Sequence, residues 1–110
     1  MKPPPDWTNI LDHGNRLRVR VTMNKRGEIG AFTVQLECLD EGNWHPVVRY
    51  DTAHGQAHID LIDPKGVEYE KIWLGYFPPY NIAFTRATDE LKERYLEHRA
   101  RYLSQMEKQK

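Results

Sequence analysis

The period of the apolar pattern changes once along this chain, and that change divides it into a sheet and a helix. Up to residue 74, apolar side chains recur every second residue in short runs broken by turn sequences; from residue 81 they recur at three- and four-residue steps. Successive side chains point to opposite faces of a strand, whereas three- and four-residue steps share one face of a helix. The cleanest alternation sets Leu17, Val19, Val21 and Met23 against Arg16, Arg18, Arg20 and Thr22. Asn24-Lys25-Arg26-Gly27 supplies a turn in which Gly27 is free to take positive φ. Phe32, Val34, Leu36 and Cys38 then alternate with Thr33, Gln35 and Glu37, so the two runs form an antiparallel hairpin.

After a turn at Asp40-Glu41-Gly42-Asn43, a third strand runs from Trp44 to Asp51, with Pro46 making its start an edge or an irregularity. His54-Gly55-Gln56 reverses the chain into Ala57–Ile62, and Asp63-Pro64-Lys65-Gly66 turns it into Val67–Leu74. In that last strand Val67, Tyr69 and Trp73 are assigned to the apolar side, a set that Lys71 interrupts. Pro78-Pro79 ends regular pairing. The helix is expected from an Asn81 N-cap to about Gln105. Its apolar stripe is Phe84, Ala87, Leu91, Tyr95, Tyr102 and Met106, with Glu90–Arg94 and Glu97–Arg101 as ion pairs of about 0.3 kcal/mol each and a frayed end from Met106. The expected fold is α+β: one antiparallel meander of about five strands with a long C-terminal helix packed on one face. Residues 1–14 read as a proline-rich tail and a short docking turn of Trp7, Ile10 and Leu11, and residues 15–110 as the single domain.

Totals narrow the function. Sixteen Lys and Arg balance sixteen Asp and Glu, so no overall charge drives the chain onto nucleic acid or an anionic membrane, and any basic surface must come from local segregation. Cys38 is the single cysteine, which excludes an internal disulfide and a thiolate cluster and reads as a buried thiol. No apolar run approaches the ~20 residues of a membrane span, and the start of the chain leads into no signal core, so a cytoplasmic protein is expected. Glycine-rich phosphate loops, nucleophile elbows and Cys–His signatures are missing from the sequence.

Chemistry concentrates in Arg49-Tyr50-Asp51-Thr52-Ala53-His54-Gly55-Gln56-Ala57-His58-Ile59-Asp60. With Val48, Tyr50, Ile59 and Leu61 facing the core, Arg49, Asp51, His58 and Asp60 share the opposite face, and His54 lies in the turn. Metal-free RNA cleavage needs a base, an acid and a cation for the phosphorane. His54 and His58 suit the first two roles, Arg49 the phosphate, and Asp51 or Asp60 the orientation of a histidine. Arg16, Arg18 and Arg20 would track the RNA backbone on the same face, with Tyr50, Trp44 or Tyr69 stacking a base at an edge. Two other arrangements satisfy the same residues. Asp51, His54, His58 and Asp60 form an N/O ligand set for a divalent metal, although no cofactor is required by the first reading. In the purely structural arrangement the arginine stripe pairs with Glu37, Glu68 or Glu70, Arg49 pairs with Asp60, and Asp51 caps the turn.

At Arg49-Tyr50-Asp51-Thr52-Ala53-His54-Gly55, continued by His58, the chain resembles small prokaryotic proteins with a four- or five-stranded sheet and a C-terminal helix. Some of these are similar to TumE-like toxins of two-gene toxin–antitoxin modules, which carry an Arg-x-Asp followed by histidines. The resemblance implies an RNA-targeting toxin with a DNA-binding antitoxin as partner, and it covers Arg49, Asp51, His54 and His58. The expectation is a small RNA-directed enzyme without a membrane partner. The rival is a non-catalytic module that holds a protein partner, or a second copy of itself, with this face and Trp7, Trp44 and Trp73.

Overall fold

In a computed structural model, which describes residues 6–109, the chain forms a six-stranded antiparallel sheet in sequence order, followed by one helix. The strands are β1 (Asp6–Asp12), β2 (Asn15–Met23), β3 (Ile29–Asp40), β4 (Asn43–Asp51), β5 (His58–Ile62) and β6 (Glu68–Trp73), and the helix is α1 (Asn81–Lys108). The α+β meander expected from the periodicity is therefore the fold. No helix is long and apolar enough to cross a membrane among the described residues. The expected extended tail at residues 1–5 lies outside the described residues.

The strand absent from the expectation is β1. Residues 6–12 form an edge strand in register with β2, Trp7 opposite Val19 and Asn9 opposite Leu17, and not a docking turn. Trp7, Asn9 and Leu11 alternate with Asp6, Thr8 and Ile10, and the short polar Asn9 hides the period of two. Trp7 turns inward to meet Phe84 edge-on at 6.4 Å, while Ile10 faces water on the other side.

Four reversals use one device, a short Asp or Asn side chain that accepts hydrogen bonds from amides just downstream. Asp12 Oδ1 accepts from the Gly14 amide, and Asn24 Oδ1 accepts from Arg26 and Glu28. Asp51 Oδ1 accepts from Thr52 and Ala53, and Asp63 Oδ1 accepts from Lys65 and Val67. Gly27 takes φ 77°, as its turn requires. Pro46 lies at a bulge between the pairs Leu36–Val48 and Glu37–Pro46, so Val47 and Val48 are both buried.

The core lies between the sheet and α1. Leu17, Val19, Val34, Leu36, Val48 and Tyr50 meet Ala83, Ala87, Leu91 and Tyr102 from the helix. Cys38 is buried there, its thiol bonded to Asn15 Oδ1 at 3.1 Å and its pKa pushed up by burial. The helix departs from expectation at three points. Asn81 does not cap it; its Oδ1 accepts the Ile29 amide at 3.0 Å, joining the start of α1 to the start of β3. The helix runs on through Lys108, where fraying from Met106 was expected.

Neither expected ion pair forms. Glu90 accepts from Tyr50 at 2.8 Å and contacts His98 Nε2 at 3.0 Å, and Arg101 bonds His98 Nδ1 at 2.8 Å. Glu97 meets Arg94 at 4.0 Å instead. Arg94 has φ −120° and ψ 15°, a kink that breaks the four-residue spacing the Glu90–Arg94 pair needs, while Arg101 is taken by His98.

A candidate site on the polar face

Register brings the candidate residues together. In an antiparallel sheet, directly opposed residues project to the same side. On the face away from α1, one row crosses the whole sheet as Asp6, Arg20, Thr33, Asp51, His58 and Trp73. The adjacent row is Thr8, Arg18, Gln35, Arg49, Asp60 and Lys71. Arg49, Asp51, His58 and Asp60 thus share the face assigned to them by alternation. His54 stands beside them in the 3-10 turn Ala53–Gly55, with its ring centroid 6.0 Å from that of His58.

Exposure on this face is not what alternation implies. His58 is 1% exposed and Asp60 3%, because β6 and its side chains cover them. Trp73 lies against the His58 ring with centroids 5.2 Å apart, and Lys71 Nζ donates to Asp60 Oδ1 at 2.6 Å. Within the cluster, His58 Nδ1 meets the Gln56 carbonyl at 3.1 Å and Nε2 faces Asp60 Oδ2 at 3.3 Å. A ligand atom from each of Asp51, His58 and Asp60 lies within 4.8 Å of the other two. Among the described residues, those three form a group able to hold a metal. His54 stays outside that set and exposed on the surface.

The arginines divide. Arg16 pairs with Glu37 at 2.8 Å and lies over the Trp44 ring at 4.1 Å, which removes both Arg16 and Trp44 from the set available to RNA. Arg20 meets Asp6 at 3.6 Å but is exposed, a pairing of little strength. Arg18 and Arg20 line a shallow depression of about 220 Å³ with Thr33, Gln35 and the carboxylates of Asp6 and Glu37. Arg49 does not pair with Asp60, the partner expected in the structural arrangement. Asp60 is taken by Lys71 and His58, and Arg49 donates to Gln35 Oε1 at 2.8 Å and Glu68 Oε1 at 2.6 Å.

The aromatic residues need the largest correction. Tyr50 cannot stack a base: it is buried against the helix, its hydroxyl donates to Glu90, and burial with that neighbouring carboxylate pushes its pKa far up. Trp73, placed on the apolar side by the sequence, sits opposite His58 on the polar face with 51% of its surface exposed. Lys71, which interrupted the supposed apolar set, was the signal that the assignment of β6 should be inverted. A bulge between Leu61 and Ile62 breaks the register of this strand, so a count from Val67 reaches the wrong face at Trp73.

His54 has φ 74° and Gly55 has φ 79°. The left-handed region costs a residue with a Cβ about 1–2 kcal/mol, so the turn holds a histidine where glycine fits better.

No curated protein and no solved structure matches the chain. One family model matches residues 2–108, nearly the whole chain, and it is described as a domain of unknown function. The chain belongs to that family, DUF7718.

Proposed function

We propose that the polar face around Trp73 binds single-stranded RNA, that His54 is directed at its phosphates, and that Arg49 joins it by exchanging its exposed Glu68 partner for a phosphate. The observation that carries this reading is the setting of Trp73: a half-exposed indole with Lys71 Nζ 5.7 Å from its ring centre and His54 edge-on at 6.5 Å. An exposed aromatic on a sheet is a platform for an unstacked base, and adjacent cations take the backbone. Arg18 and Arg20 stand further along the two rows, among Asp6 and Glu37, as additional cations for the backbone. In this reading His54, on the surface, is the histidine able to move a proton to or from a bound ribose. His58 lies behind it, with Nδ1 on the Gln56 carbonyl and Nε2 facing Asp60, and serves to position Trp73 and the turn. A cytoplasmic, toxin-like ribonuclease with an antitoxin partner belongs to the same proposal, through the resemblance at Arg49–His58.

Labelled single-stranded RNA titrated with the full chain tests it. Loss of one stacked base costs about 1–3 kcal/mol, so Trp73→Ala should weaken binding by roughly five- to hundredfold, and His54→Ala should abolish any cleavage while weakening binding less than Trp73→Ala does. Equal affinity of wild type and Trp73→Ala, or no binding at low salt, sinks the reading.

A second reading has its own observation. All six residues of β6 are exposed, and it is a sheet edge carrying Tyr69, Ile72 and Trp73 with Val67 and Phe77 beside it. Such an edge offers backbone hydrogen bonds and apolar contacts to the strand of a partner protein or a second copy.

A further inference from the structure

We propose that Asp51, His58 and Asp60 bind one divalent transition-metal cation of the zinc or manganese class. The argument begins at His58 Nδ1, which lies 3.1 Å from the Gln56 carbonyl. A carbonyl only accepts, so Nδ1 carries the proton between them, and the pole aimed into the cluster is Nε2. A backbone acceptor on one ring nitrogen is the arrangement that orients a metal-binding imidazole and fixes its tautomer.

Nε2 faces Asp60 Oδ2 at 3.3 Å, longer than the roughly 2.7–2.9 Å of a charge-assisted hydrogen bond. With Asp51 it completes three electron-rich atoms converging within 4.8 Å. Bonds of about 2.0–2.2 Å to a cation link atoms no more than about 4.4 Å apart, so a small side-chain rotation closes the set.

Charge points the same way. With Nε2 unprotonated, His58 is neutral, Lys71 neutralises Asp60, and Asp51 is the carboxylate that meets no cation among the described residues. Asp51 is half-buried and held by the Thr52 and Ala53 amides, and a cation between it and Asp60 completes the charge balance beside the almost wholly buried His58. One imidazole with two carboxylates suits zinc or manganese better than a hard oxygen-only cation such as magnesium. The site stands without the RNA reading. Where both hold, the cation adds a positive charge one side chain behind Trp73.

Full-length untagged protein, stripped with EDTA and dialysed, is titrated with zinc chloride, manganese chloride and magnesium chloride by calorimetry. Its imidazole nitrogen resonances are followed in parallel. One equivalent of zinc or manganese should bind, with zinc shifting the His58 Nε2 resonance, and Asp51→Asn should weaken binding at least tenfold with an unchanged far-ultraviolet circular dichroism spectrum. Three results overturn the site: no saturable uptake, zinc shifting only the resonances of other histidines, or a doubly protonated His58 ring indifferent to zinc. If Asp51→Asn does not fold, the wild-type resonances decide. RNA affinity measured in EDTA keeps the two ideas separable, since lost RNA binding with intact metal uptake removes only the earlier one.

Discussion

His54 sits at φ 74°, next to Gly55 at 79°, and the pair turns the chain out of β4 beside the polar cluster. Replacing His54 with glycine removes a steric penalty of about 1 kcal/mol. His54→Gly should therefore raise the urea midpoint relative to His54→Ala, while any RNA cleavage is lost in both. A turn of purely structural purpose would gain from the glycine at no functional cost, and that outcome would leave His54 without a role. His58 behaves oppositely. Its ring is closed in by Trp73 and held at Nδ1 by the Gln56 carbonyl, so His58→Ala opens a buried space beside Asp60, which keeps only Lys71. That change is expected to lower stability by about 2–4 kcal/mol in chemical denaturation, which makes loss of activity in this variant uninformative by itself.

Between elements, the link that matters most for pH joins β4 to α1. Burial raises the Glu90 pKa, but hydrogen bonds from His98 and Tyr50 and the charges of His98 and Arg94 outweigh it and hold the carboxyl below its ordinary value. Asp12 is held low as well, first by the Gly14 amide and then by Asn15, against a smaller upward pull from burial. Both folded-state values lie below those of the unfolded chain, so their stabilisation is complete above the unfolded range of about 3.9–4.3 and is lost as the pH falls through the lower folded values. Urea unfolding followed from pH 7 downward should show stability falling through this acid range, and Glu90→Gln should flatten the fall. β3 is the central element, paired on both edges and packed against α1. Leu36→Ala should cost about 2–5 kcal/mol, whereas Ile72→Ala on the exposed strand β6 should change stability by less than about 0.5 kcal/mol.

At the scale of the whole molecule, sixteen positive and sixteen negative side chains cancel, and the polar face repeats that balance locally through Arg16–Glu37, Arg49–Glu68 and Lys71–Asp60. RNA held mainly by stacking on Trp73 should lose affinity with salt less steeply than RNA on a net-basic protein, with a slope reporting two or three phosphate contacts at about −0.7 each. Two kinds of information decided this architecture. The pattern of Leu17–Met23 and Phe32–Cys38, the turn residues and the switch to helical spacing at Asn81 are local, so the sequence alone determined a meander with a C-terminal helix. It also determined the common face of Arg49, Asp51, His58 and Asp60, since strand alternation is a local rule. Tertiary structure alone decided that residues 6–12 pair as a sixth strand, that Trp73 crosses to the polar face after a bulge, and that His58 and Asp60 are closed off beneath it. Pairing register and coverage depend on which strands meet, and that is settled by contacts between residues far apart in the chain, where periodicity carries no information.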